Sequence, residues 1–216
     1  MKMRGITILE TVNVIAVVGI MASALFTVYI PQMNTIFYFP VAQRVNDTAA
    51  DLMEIIFEGN RSARGLRFTG PACTIPTGGS ASITAATRSG GVETLTYRYA
   101  DYTQCGSQAG SDADIDVALS YDSSTHLITR AVNGGSAVNI PYYAKSSADF
   151  KIDPIDTNFF RFYDSAGTEM SSFPLTLANI YRVDVAYKVT TGSANVKHNA
   201  GSVYLKSGVE IKRYTT

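Results

Sequence analysis

Apolar positions are concentrated at one end of the chain. Residues 6–30, ITILETVNVIAVVGIMASALFTVYI, form an apolar run interrupted by one carboxylate, Glu10, and one amide, Asn13. As a helix rising about 1.5 Å per residue, the run reaches about 37 Å, enough to cross a hydrocarbon core of about 30 Å. Residues 31–65 continue as a helix that Pro31 and Pro40 are expected to kink or break. Beyond Pro40 the pattern turns amphipathic. Val41, Val45, Ala49, Leu52 and Ile56 fall near helical spacing, while Gln43, Arg44, Asp47, Asp51, Glu54 and Glu58 can face water. Gly59 or Gly65 is the expected stop. From residue 66 onward, short alternating segments predict strands at 92–99, 114–121, 125–132, 159–163, 181–189 and 202–206, with Gly, Ser and Asn clusters between them. The expected fold is α+β: a long N-terminal helix, then an antiparallel β-rich head with one sheet face on the amphipathic helix. No repeat of the solenoid or propeller type is present.

Composition narrows the function classes. The chain has 216 residues, 46% hydrophobic and 17% charged, which fits a folded protein. Eighteen basic and eighteen acidic side chains cancel, so no electrostatic footprint for nucleic acid exists. GxSxG, HExxH, GxxxxGK[ST] and GxGxxG are all absent, and neither an enzyme nor a cofactor is expected. Lys2 and Arg4 precede the apolar run. The leader should therefore stay cytoplasmic and the C-terminal side should leave the cytoplasm.

That topology bears on the cysteines. Cys73 and Cys105 would lie outside the cytoplasm, where a pair is commonly oxidised. A bridge between them would close a loop of about 33 residues, a stabilisation of about 3–4 kcal/mol in the chain-entropy treatment. The alternative is two unpaired thiols. Asp112, Asp114 and Asp116 alternate as some calcium loops do, but Val117 stands where an EF-hand needs glycine. An acidic strand edge that blocks aggregation is the favoured reading, with no metal site expected. His126 and His198 read as polar surface residues. Arg61, Arg64 and Arg67 read as a solvated helix end. Met33, Phe37, Tyr38 and Phe39 read as packing or membrane-interface residues.

Three readings of the N-terminus compete. A secretory signal peptide would use the small-x-small site Ala22-Ser23-Ala24, although the apolar run is long for one and contains a carboxylate. The second reading is a plain membrane anchor. The third accounts for Glu10, since a carboxylate in a bilayer costs roughly 2.5–3.5 kcal/mol and needs a partner. A cut after Gly5 would create a positive α-amino group on Ile6. In a staggered bundle, one copy's amine could then meet a neighbour's Glu10.

The segment Arg4-Gly5-Ile6-Thr7-Ile8-Leu9-Glu10 resembles the leader and mature start of type IV prepilins and type II secretion pseudopilins. The small and β-branched helix that follows (Ala16, Val17, Val18, Gly19, Ile20, Ala22) is similar too. Asn13 and Thr27 depart from the family pattern, which is usually apolar at the first position and often Pro at the second. A weaker likeness to minor pilins and J-type minor pseudopilins rests on Leu127, Arg130, Tyr163, Asp164 and Gly167. The resemblance implies cleavage by a prepilin peptidase between Gly5 and Ile6, N-methylation of Ile6, and filament assembly through Glu10. Losing Lys2 and Arg4 would leave 16 basic against 18 acidic side chains, a formal −2. It also implies a leader at 1–5, a membrane and filament helix at 6–30, an amphipathic continuation at 31–65 and a head at 66–216. The head would be periplasmic or otherwise extracytoplasmic, anchored in the lipid of a bacterial inner membrane. Partners would be other pilin or pseudopilin subunits and an inner-membrane assembly platform. The alternative is a secreted binding module or enzyme beginning at Leu25 after signal cleavage.

Overall fold

A computed structural model describes residues 8–61, 63–68, 83–100, 114–141, 150–191 and 202–211. The chain divides into two compact units, 1–43 and 44–216. One helix, α1, runs Ile8–Phe57 and contains both Pro31 and Pro40. Of the kink or break expected at the prolines, a break does not occur. A proline removes one backbone donor and crowds the preceding turn, but neighbouring helical turns can re-satisfy the freed carbonyl.

The helix ends where glycine permits it. The Glu58 amide still donates to the Glu54 carbonyl at 2.7 Å. Gly59 then adopts φ +89°, the left-handed geometry that closes many helices. The chain doubles back through a short hairpin, β1 (Gly59–Asn60) with β2 (Ala63–Arg64). A Cβ at Gly65 would lie 2.3 Å from the Phe57 carbonyl carbon, so only glycine fits this return.

In the second unit, Val45, Ala49, Leu52 and Ile56 are fully buried, the stripe expected from helical spacing. They share a core with two sheets. The first is a five-stranded antiparallel meander of β3 (Ile83–Ser89), β4 (Val92–Ala100), β5 (Asp114–Asp122), β6 (Leu127–Val132) and β7 (Val138–Ile140), in that spatial order. Its inward face alternates through Leu95 and Tyr97 on β4 and Val117, Leu119 and Tyr121 on β5. In the second sheet, β10 (Arg182–Thr191) pairs with β11 (Val203–Glu210) along one edge. The other edge of β10 is shared by β9 (Phe160–Tyr163) and β8 (Phe150–Pro154). Val183, Val185, Tyr187 and Val189 supply its buried face.

Aromatic stacking joins the sheets. The Phe159 ring stacks on Tyr121 of β5 with centroids 4.7 Å apart and on Tyr187 of β10 at 5.6 Å. All six predicted strands are present, within a few residues of their expected limits. The strand expected from 125 starts at Leu127 because His126 takes φ +55° in the preceding turn. Strands β3, β7 and β8 were not foreseen. The first is rich in Ala and Thr, β7 has three residues, and β8 ends in Pro154, so none carries a full apolar alternation.

Candidate functional site

The first unit carries the segment on which the functional expectation rests. Ile8–Met33 is long and apolar enough to span a membrane, and none of it is buried. Its large side chains stand exposed on all sides, among them Leu9, Val14, Ile15, Leu25 and Phe26. A helix so apolar around its whole circumference suits lipid or a protein bundle better than water. Glu10 occupies the first turn and is exposed. A carboxylate there also complements the positive end of the helix dipole. Gly5 and Ile6 lie outside the described residues, as do Cys73, Cys105, Asp112 and His198, and the side chain of Asp114.

Asp116 and Arg67, from two of the other expected clusters, have structural partners. Asp116 does not form an acidic strand edge, because β5 lies between β4 and β6. Its cross-strand partner is Arg98, whose Nε and Nη2 donate to the two carboxylate oxygens at 2.7 Å each. Asn133 completes that end of β5: its side-chain oxygen accepts from the Asp116 amide at 2.9 Å, and its own amide donates to the Asp116 carbonyl at 2.8 Å. Arg67, at the end of the basic run, pairs with Glu58. Among the described residues, no group of three or more His, Cys, Asp or Glu side chains could hold a metal ion.

His126 has a more definite place than a loose surface residue. Its Nδ1 lies 2.6 Å from Asp153 Oδ1, and its carbonyl accepts from the Ile152 amide at 3.0 Å. The β5–β6 turn is thereby tied to β8 of the other sheet. Neighbouring hydroxyls serve the turn itself: Ser124 Oγ donates to Asp122 Oδ1 at 2.7 Å. The Ser124 hydrogen bonds hold the Asp122 carboxyl below its ordinary range.

Three buried ionic groups fasten the head. Glu93 of β4 accepts the Phe159 amide on Oε1 at 3.0 Å and the Phe160 amide on Oε2 at 3.2 Å. Arg88 Nη2 lies 3.2 Å from the same Oε2 and donates to the Phe160 carbonyl at 3.1 Å, with its guanidinium over the Phe173 ring. Arg130, 1% exposed, donates through Nη2 to Asn60 Oδ1 and so joins β6 to the hairpin after the helix. Asp184, also 1% exposed, accepts from Arg182 Nε at 2.6 Å and Nη2 at 2.5 Å. Two phenols bind backbone oxygens: Tyr187 donates to the Ala49 carbonyl at 2.7 Å and Tyr97 to the Arg64 carbonyl at 2.8 Å. Burial pushes both phenols up, so they stay neutral donors well into alkaline solution.

The residues shared with the minor-pilin pattern have local explanations. Asp164 Oδ1 accepts the amides of Ala166 at 2.9 Å and Thr168 at 2.8 Å. Gly167 takes φ +79° in the same tight turn. Nothing in the sequence singles out Glu93, because an acid in a strand segment such as Val-Glu-Thr normally points outward. Asp184 left a faint signal, an Arg two residues before an Asp on the same strand face. Comparisons with protein-family models, with curated proteins and with solved structures find no match to this chain.

Proposed function

We propose that the chain is a pilin-like structural subunit, a minor pilin or pseudopilin of a type IV pilus or type II secretion system. In this reading a prepilin peptidase cuts between Gly5 and Ile6 and methylates the new amine. The apolar part of α1 then holds the subunit in the bacterial inner membrane with the head in the periplasm. An assembly platform draws it into a filament, where Glu10 meets the cationic start of an adjacent subunit. The work is architectural: helices pack and heads choose partners.

The observation that carries the reading is a single secondary-structure element with two different faces. The helix is exposed and apolar through Ile8–Met33, then continues as the buried stripe of a β-rich head. The prepilin-like motif ending at Glu10 supplies the rest. Signal-peptide cleavage before Leu25 would cut α1 in mid-helix. It would leave Leu25, Phe26, Val28, Tyr29 and Ile30 exposed at the start of a soluble product. Such a contiguous apolar patch favours membrane or protein contact over free solution.

N-terminal sequencing and intact mass of the protein extracted from membranes test this directly. The expected mature chain begins at N-methylated Ile6. A chain starting at Met1 or at Leu25 overturns the assignment.

A further inference from the structure

Asn13 is the one carboxamide within the apolar run 6–30. It is exposed, and its carboxamide meets no hydrogen-bonding partner among the described residues. Thr27 differs: its hydroxyl donates to the Ser23 carbonyl at 2.6 Å and lies 3.2 Å from the Ala24 carbonyl. Hydroxyls on a helix can rotate onto the preceding turn in this way. The Asn13 carboxamide makes no such bond among the described residues, which leaves its two N–H donors and acceptor oxygen for a partner outside the helix. Asn13 lies about 11 Å from the midpoint of Ile8–Met33, inside the roughly 15 Å half-thickness of a hydrocarbon core. Water is scarce there, and an unmatched amide is costly.

Resting on the membrane placement proposed above, we infer that Asn13 is a self-recognition contact between the membrane helices of two copies of this chain. Its chemistry selects a second copy. Copies inserted with the same orientation bring Asn13 to the same depth in both helices. The carboxamide is self-complementary, so each Nδ2 donates to the other's Oδ1. Helical spacing puts Val17, Ile20 and Ala24 within about 40° of Asn13 on the same face. Ala24 allows close backbone approach three turns further on, as small residues do in membrane helix pairs. Glu10 lies nearly one turn away and about 60° round, at the margin of the contact, where it remains able to meet a cationic chain start.

The test uses the full chain, labelled at a C-terminal tag with donor or acceptor dye and reconstituted in phosphatidylcholine vesicles. Retention by the vesicles after alkaline washing reports membrane insertion. Energy transfer, titrated against lipid dilution, reports pairing. Asn13→Leu should be retained at least as well as the natural chain yet pair roughly three- to tenfold more weakly, the range expected for one interhelical hydrogen-bonded contact. Asn13→Gln, which keeps the carboxamide, should pair within about twofold of the natural chain. Retention with no energy transfer, or with equal transfer for Asn13→Leu, overturns the self-recognition contact and leaves the membrane reading intact. A natural chain that is washed from the vesicles overturns the membrane reading, and this contact with it.

Discussion

Glu93 illustrates how one side chain can hold two layers together. Its two oxygens take the amides that open β9, while Arg88 compensates its charge from the adjoining strand. Phe159 and Phe160 are almost wholly buried, so their N–H groups have no ready access to water. Glu93→Ala would orphan both donors and the Arg88 charge together. The expected loss is about 3 kcal/mol, at the level seen when a buried charged hydrogen-bonding group loses its partner. Glu93→Gln should fall between the two, since its amide nitrogen must face one of the two donors. Urea unfolding of the detergent-solubilised chain, followed by tyrosine fluorescence because tryptophan is absent, measures the difference. Coincident curves for Glu93→Ala and the natural chain would show that Glu93 does not clamp the sheets.

At the scale of elements, β10 and β11 are matched by size as well as by hydrogen bonding. Asp184 lies directly opposite Gly208 in the ladder. A Cβ on residue 208 would come within 2.1 Å of Asp184 Oδ1. The absent side chain leaves room for the carboxylate, which Arg182 grips while its guanidinium lies over the Tyr163 ring at 5.0 Å. Gly208→Ala should therefore cost about 1–3 kcal/mol, the usual range for forcing a methyl group into filled space. The clash involves one specific oxygen, so Asp184→Ala should relieve it. The double variant is expected to be less destabilised than the sum of the singles, which a thermal-unfolding cycle over the four proteins measures. Strict additivity would mean that the two positions do not interact. The same steric logic operates at the end of α1, where Gly59 and Gly65 let the chain return against its own helix.

On the scale of the whole molecule, the two units have opposite solvent preferences. Among the described residues, the second unit buries most of its large apolar side chains in a core, whereas the large apolar residues of Ile8–Met33 are exposed. In the proposed subunit the head has a core of its own, and the N-terminal helix is satisfied in lipid or among other helices. In the proposed function, Glu10 is the charge that distinguishes those two settings. Glu10→Leu should insert into membranes at least as well as the natural chain and yet be missing from sheared filaments. Fractionation with immunodetection of the head reads both quantities. Normal incorporation of Glu10→Leu would remove the assembly role assigned to that carboxylate.

Periodicity alone determined the elements that depend on local pattern. The helical stripe from Val45 to Ile56 and six strands were legible because a half-buried element must repeat its apolar residues at its own period. The N-terminal run was equally plain, as was the glycine stop, which structure assigns to Gly59. Strands β3, β7 and β8 were hidden because short, small-residue or proline-ended segments owe their pairing to neighbours rather than to their own pattern. Tertiary structure decided the partners: Glu93 with two amides 66 and 67 residues away, Arg130 with Asn60, and His126 with Asp153. Polar side chains carry no periodic mark of the group they will meet. Such pairings exist only after the core has brought distant backbone together, and that is a property of the packed chain rather than of any stretch within it.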